Sequence, residues 1–170
     1  MMTHIACHEA GHAVVSEILS PGSVTMVCIH ELCNHSHGFT SYYRPQEYGN
    51  GIDRSGVVAA LGGRAALDMS YGIIDEGARS DLDDAATEMR DRIVNSGVMG
   101  FAFLSVARDS EALNSRVEFA IAEELDRCYS QAKMILAKNR AFHKAITDAL
   151  LRDGLLTSAD IQKIKGHLDY

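Results

Sequence analysis

Apolar residues recur at helical spacing from the start of the chain, which predicts a first helix over residues 3–19. The sequence Ser20-Pro21-Gly22 ends this helix. Residues 23–29 are rich in β-branched side chains and predict a strand, and residues 38–43 predict its partner. The first quarter of the chain is therefore expected to form a helix followed by a small β-sheet or hairpin.

The rest of the chain reads as helical. The pair Gly62-Gly63 would let another helix approach closely, and Thr157 with Asp160 forms a capping-box pattern before the last helix. Helices are expected over residues 52–71, 80–95, 115–138, 142–152 and beyond Thr157. The predicted fold class is therefore α+β, mainly helical with a small N-terminal sheet.

Composition narrows the classes of function. A length of 170 residues without a linker or repeat predicts one domain over residues 1–170, and a net charge of −7 argues against a nucleic-acid partner. No run of 18 apolar residues and no basic, then apolar, N-terminal pattern is present, so neither a membrane anchor nor a signal peptide is expected. Four cysteines do not resemble a disulfide scaffold and favour a reducing, cytoplasmic location. A phosphate-binding loop is missing from the sequence, so the chain is not predicted to be an ATPase.

The pattern that indicates chemistry is His8-Glu9-Ala10-Gly11-His12 on the first helix. Residues four apart share a helix face, so both imidazoles can reach one zinc ion at about 2.0–2.1 Å. Glu9 lies about 100° further round the helix, beside the metal rather than bound to it. Because zinc lowers the pKa of a bound water towards about 7, a carboxylate in that position can act as a general base.

Catalytic zinc needs a third protein ligand, and the residue pattern leaves its identity open. Asp81, Asp83 and Asp84 lie at a predicted helix start. Acidic residues there are also explained by the helix dipole alone. The first helix has an alternative too, as an amphipathic helix whose histidines bind no metal, which would make the chain a metal-free helical scaffold.

Several ordered motifs together resemble the peptidase domain of FtsH-type zinc proteases. They are His8–His12, then Leu61-Gly62-Gly63-Arg64-Ala65-Ala66, then Gly77-Ala78-Arg79-Ser80-Asp81-Leu82 with Ala86-Thr87. The C-terminal half follows the helical tail of that family, so the resemblance covers nearly the whole chain.

The resemblance implies a zincin-like metallopeptidase fold, with zinc held by His8, His12 and Asp81 and with Glu9 as general base. It also implies that an extended polypeptide substrate adds as a strand beside Gly38, Phe39 and Thr40. Members of the family form rings and carry an ATPase module before the peptidase domain. A separate ATPase or unfoldase and a homo-oligomer are therefore the expected partners.

The chain departs from the family after Gly-Gly-Arg-Ala-Ala, where two acidic residues are usual. Leu67 and Asp68 follow here, so an acidic partner that orients the zinc ligands is either missing or moved to Asp68. This departure favours an alternative function, a catalytically inactive zinc-binding interaction or regulatory module.

A segment rich in His and Cys separates the two predicted strands. Its spacing matches no zinc finger, so a polar hairpin tip with free thiols is favoured over a second metal site. The segment contains Cys28, His30, Cys33, His35 and His37.

Two histidines in the C-terminal helices, His143 and His167, are predicted to lie at the surface.

Overall fold

The computed structural model describes residues 2–29, 38–43, 53–73, 79–95, 97 and 110–168. Its first helix, α1 (Met2–Leu19), is the central element and packs against most of the others. Eleven of its residues are buried, on all sides of the helix. α1 is therefore buried on every side like a core helix, although four of the eleven buried residues are polar: Glu9, His12, Ser16 and Glu17.

Three short strands form one antiparallel sheet in the order β2-β1-β3. They are β1 (Val24–Cys28), β2 (Phe39–Tyr42) and β3 (Leu155–Thr157). β2 is thus an outer strand of the described sheet, and it also contacts α1. The first two strands were predicted from the sequence. β3 was not, because three residues between two helices carry no periodic signal, and the strand exists only through its pairing with β1.

The predicted helix over residues 52–71 is two helices, α2 (Ser55–Ala60) and α3 (Gly62–Tyr71). The interruption falls at Leu61, directly before the glycine pair. A Cβ on Gly62 would lie 2.7 Å from the carbonyl oxygen of Gly11, so the backbones of α1 and α3 touch at this point. The expected close approach at Gly62 is confirmed, and the poor helix propensity of two consecutive glycines accounts for the break.

Three longer helices surround this centre: α4 (Arg79–Val94), α5 (Glu111–Lys138) and α6 (Arg140–Asp153). α5 begins four residues before the predicted start because the side chain of Ser110 accepts a hydrogen bond from the amide of Leu113. The last helix, α7 (Ser158–Gly166), starts at the predicted capping box of Thr157 and Asp160. The mainly helical class with a small sheet is confirmed.

Two buried carboxylates that the sequence did not single out bind the helices together. Glu17 is fully buried in α1 and accepts hydrogen bonds from the amide of Gly22 and from Gln162 of α7. Glu124 is 1% exposed in α5 and forms ion pairs with Arg54 and Arg127. Nε of Arg54 donates a hydrogen bond to the Glu124 carboxylate, and this bond is the main reason why the pKa of Arg54 is raised.

Among the helices in the described parts of the chain, none has the length and hydrophobicity needed to cross a bilayer.

Candidate metal centre

Helix α1 brings the two histidines of the motif together. His8 and His12 lie one turn apart, and their Nε2 atoms are 3.0 Å from each other. Nδ1 of His12 is 2.8 Å from the carbonyl oxygen of Ala59 in α2. Since a carbonyl only accepts, Nδ1 carries a proton and donates it, so Nε2 is the nitrogen that the neutral ring presents to a metal; in the protonated ring Nε2 instead donates to Asp81.

Helix α4 supplies the carboxylate. Asp81 lies in its first turn, and Oδ2 is 3.0 Å from Nε2 of His8 and 3.2 Å from Nε2 of His12. Burial raises the pKa of Asp81, but hydrogen bonds from His12 and His8 outweigh it and hold the pKa well below its usual range. Burial likewise lowers the pKa of His12, and the hydrogen bond and charge of Asp81 outweigh it, so that pKa is raised.

These residues fit a zinc ion. Two imidazole nitrogens and one carboxylate oxygen form the group of potential ligands, which is the donor set that catalytic zinc takes while keeping one position open. The side chain of Asp81 is 25% exposed, so the group faces solvent on one side. Gly63 lies against the other side, where a Cβ would be 2.5 Å from Nε2 of His12 and 2.6 Å from Nε2 of His8. Only a glycine leaves both nitrogens room to converge there.

One nitrogen of the site has no partner in the described residues. Nδ1 of His8 is buried without a hydrogen bond. Of the two alternatives for the orienting acid, a move to Asp68 is contradicted, because Asp68 instead accepts hydrogen bonds from Tyr129 (2.8 Å) and Lys133 (2.7 Å) of α5. Leu67, which stands where the family usually has an acid, is 1% exposed and belongs to the apolar core.

Glu9 lies beside this group and is 6% exposed. The hydroxyl of Thr40 in β2 donates to Oε2 of Glu9 at 2.8 Å. Gly38 approaches the other carboxylate oxygen so closely that a Cβ would lie 2.9 Å from Oε1. The start of β2 is therefore packed directly against the carboxylate, and this packing fixes where its two oxygens point.

All seven residues expected at the site line one open cleft of about 430 Å³. Four further residues line the same cleft: Tyr42, Ala60, Asp84 and Glu88. Asp84 could have been placed there from the sequence, since it lies three residues after Asp81 and so shares its helix face. The contacts that Ala59 and Gly63 make with the histidines could not be predicted, because they are made by backbone atoms, whose partners leave no pattern in the sequence.

The remaining candidates lie elsewhere. Asp83 is exposed and forms a long ion pair of 3.8 Å with Arg79, so it does not join the ligand group. His167 is exposed, as predicted, but His143 is half-buried and its Nε2 lies 2.9 Å from the carbonyl oxygen of Cys7. The surface prediction for His143 is therefore wrong, and burial lowers its pKa.

The prediction of free thiols between the strands is wrong for Cys28, which is disulfide-bonded. A sulfur in a disulfide is not a thiolate, so Cys28 is not a ligand for a second metal. Cys7 and Cys128 are free and buried, as expected of small core residues. The other members of the predicted segment, His30, Cys33, His35 and His37, lie outside the described residues.

Comparison with known proteins agrees with the resemblance. A protein of Heterosigma akashiwo named ATP-dependent zinc metalloprotease FtsH is 32% identical over 94% of this chain, which corresponds to 28% of that protein's length. The FtsH proteins of Thermobaculum terrenum and Thermotoga maritima are 27% and 26% identical over 95% and 94% of the chain, covering 28% and 30% of their own lengths. The chain thus spans less than a third of these relatives.

The family assignment rests on a match that runs through nearly every described element. The sequence model of peptidase family M41 matches residues 2–164, from the start of α1 into α7. This range includes both histidines of the motif and the aspartate that the fold brings to them. The chain belongs to peptidase family M41.

Proposed function

We propose that this chain is a zinc metalloendopeptidase that hydrolyses peptide bonds in unfolded or flexible polypeptides. His8, His12 and Asp81 hold the zinc ion, and Glu9 is the general base. The observation that carries the proposal is the convergence of three ligand atoms, no more than 3.2 Å apart, in the cleft that also contains the Glu9 carboxylate.

Each residue has a separate task in the proposed reaction. When bound, zinc supplies a Lewis acid that polarises the scissile carbonyl and makes water more acidic. The hydroxyl of Thr40 orients the Glu9 carboxylate, which takes the proton from the attacking water and later delivers it to the leaving amine. Ala59 holds the His12 ring in the tautomer that presents Nε2 to the metal.

The same cleft suits an extended substrate. β2 is the outer strand on that side of the sheet, and Gly38, Phe39 and Thr40 face the cleft. A polypeptide that adds beside an outer strand is held mainly by backbone hydrogen bonds, which demand little of its sequence but require it to be unfolded.

The partners we propose follow from the relatives. These are named ATP-dependent, and the chain matches less than a third of their length. A protease cleft that accepts only extended chains depends on a supply of unfolded polypeptide. We therefore propose that an ATPase delivers substrate. The homo-oligomer stays a proposal from the family resemblance and the cytoplasmic location one from the sequence, and the disulfide at Cys28 argues against a reducing compartment.

Replacing Glu9 tests the assignment. Glu9→Gln keeps the shape and the Thr40 contact but removes the base, so we expect zinc content to stay at one per chain and cleavage of fluorescently labelled casein to fall at least 100-fold. Glu123→Gln makes the same change at an exposed position of α5 and should leave both unchanged. Unchanged turnover in Glu9→Gln would exclude Glu9 as the base, and a wild-type chain without zinc would exclude the metal centre.

A second candidate, a zinc-binding interaction module without activity, is favoured by the unpartnered Nδ1 of His8. A ligand that no hydrogen bond orients holds its metal less rigidly, and ligand orientation governs activity. This candidate predicts that the wild-type chain binds zinc but leaves the labelled casein intact, even when the casein is fully unfolded.

A further inference from the structure

The two walls of the cleft differ in charge. Helix α4 contributes three carboxylates, from Asp81, Asp84 and Glu88. These residues are spaced by three and then four positions, so they follow one another along a single face of the helix. Gly38 and β2 contribute only neutral groups to the lining, and α1 contributes the Glu9 carboxylate beside the two histidines. Among the lining residues that the structure describes, none is a lysine or arginine.

The carboxylates differ in what already binds them. Asp81 is held by the two histidines, and Glu88 is paired with Arg92 one turn further along α4. Asp84 is exposed to the cleft and takes part in no hydrogen bond or ion pair described for residues 79–95. Its charge is therefore the one that a bound molecule meets without displacing an existing partner.

The spacing along α4 relates these charges to substrate positions. At 1.5 Å per residue, Asp84 lies about 4.5 Å and Glu88 about 10.5 Å along the helix from Asp81. An extended peptide advances about 3.3 Å per residue. A substrate that runs along α4 from Asp81 would therefore place its first or second residue beyond the reacting carbonyl beside Asp84, and about the third beside Glu88.

From this arrangement we infer that the cleft selects polypeptides with lysine or arginine next to the scissile bond and rejects acidic ones, and that Asp84 is the main specificity-determining residue. The inference rests on the proposed peptidase function and adds a substrate class to it. A cationic side chain would gain an ion pair with Asp84, whereas an acidic one would meet the same charge unscreened by a partner.

A peptide series tests the preference. We would locate one cleavage site in casein by mass spectrometry and place Lys, Gln or Glu at each of the three positions on either side of it. For the wild-type chain we expect kcat/KM to fall in the order Lys, Gln, Glu at one or two adjacent positions, by about tenfold in total at low salt.

Asp84→Asn should reduce the ratio of kcat/KM for the Lys peptide to kcat/KM for the Glu peptide to about threefold or less, and Asp84→Lys should make the Glu peptide the better substrate. Asp83→Asn, a neighbouring charge change on the exposed face of α4, is the matched control and should leave the ratio intact. Equal ratios in Asp84→Asn and the wild-type chain would overturn the assignment to Asp84.

A binding measurement distinguishes a failure of this inference from a failure of the proposed function. Zinc-loaded Glu9→Gln would be titrated with fluorescein-labelled peptides of one fixed unstructured sequence that differ only in carrying Lys, Gln or Glu, and followed by anisotropy, so that neither cleavage nor a known cleavage site is needed. A wild-type chain that cleaves nothing, together with tighter binding of the Lys peptides, would disprove the peptidase function but support the charge preference. Equal binding of the three peptides, or binding of none, would overturn the preference itself.

Discussion

Gly63 shows how a residue without a side chain can determine a metal centre. The space where its Cβ would lie is 2.5 Å from Nε2 of His12 and 2.6 Å from Nε2 of His8. Gly63→Ala must push at least one ring away, so we expect the zinc affinity to fall by about 10- to 100-fold. Competition with a fluorescent zinc chelator measures the change. Far-ultraviolet circular dichroism of the metal-free variant checks that the fold survives, and an unchanged affinity would show that the rings have room to spare.

Asp68 tests the polar contacts between α3 and α5. Hydrogen bonds from Lys133 and Tyr129 lower the pKa of Asp68, so the contribution of this carboxylate to stability is present above its unfolded pKa, about 4, and disappears as the pH falls through the lower folded value. Asp68→Asn should therefore cost about 1 kcal/mol of unfolding free energy at pH 7 and progressively less below pH 4.

Urea denaturation between pH 3 and pH 7 measures this dependence. Asp126→Asn changes an exposed aspartate of α5 and should show no such trend. A cost for Asp68→Asn that does not change with pH would mean that packing, rather than charge, is what Asp68 contributes.

The crossing of α1 and α3 depends on two glycines in direct contact. A Cβ on Gly11 would lie 2.4 Å from the carbonyl oxygen of Gly62, which is backbone and cannot swing aside. Gly11→Ala should therefore destabilise the fold by about 2–3 kcal/mol, although alanine is the better helix former. Thermal or urea unfolding would reveal the loss. Gly166→Ala, at the end of α7 with nothing within 4 Å of the added methyl, should leave stability unchanged or slightly higher.

The pattern of the first helix was enough to predict part of the site and not the rest. The convergence of His8 and His12, with Glu9 beside them, follows from helix geometry, and the structure places these residues as that geometry requires. Asp81 lies 69 residues after His12, and spacing alone could not separate it from Asp83 and Asp84. Only the packing of α4 against α2 and α5 brings one of the three aspartates to the histidines.

Most features of the fold that the sequence did not predict have one physical cause. The strand β3, the burial of Glu124 and the contact of His143 with Cys7 depend on residues far away in sequence, whereas the break at Leu61 is local to the glycine pair. Hydrophobic periodicity reports only which face of a local segment is apolar. It carries no information on which neighbour a buried polar group will find.

A metal held between two helices should affect the stability of the entire fold. His8 and His12 belong to α1 and Asp81 to α4, so the proposed zinc ion would bind the folded chain much more tightly than the unfolded one. At a free zinc concentration about 100 times Kd, stability should rise by about 2.7 kcal/mol, which corresponds to roughly 5–10 °C in Tm. Differential scanning calorimetry with zinc and with a chelator measures the shift.

Asp81→Ala should lose most of this shift, whereas Asp83→Ala, two residues away and outside the ligand group, should keep it. The metal-to-protein ratio of the two variants gives a second reading. A full shift in Asp81→Ala would mean that the third ligand is another residue.

The contacts around His12 divide the centre into a rigid half and an adjustable one. The Ala59 carbonyl accepts from Nδ1 of His12, and the Gly63 backbone lies against the Nε2 atoms, on a helix that the glycine contact holds to α1. A change of side-chain rotamer cannot relieve these contacts, because they are made by backbone atoms. Asp81 is the one proposed ligand outside α1, so a shift of α4 is what would adapt the centre to a larger or smaller ion. Substitutions beneath α4 are therefore the place to alter ion selectivity without dismantling the core.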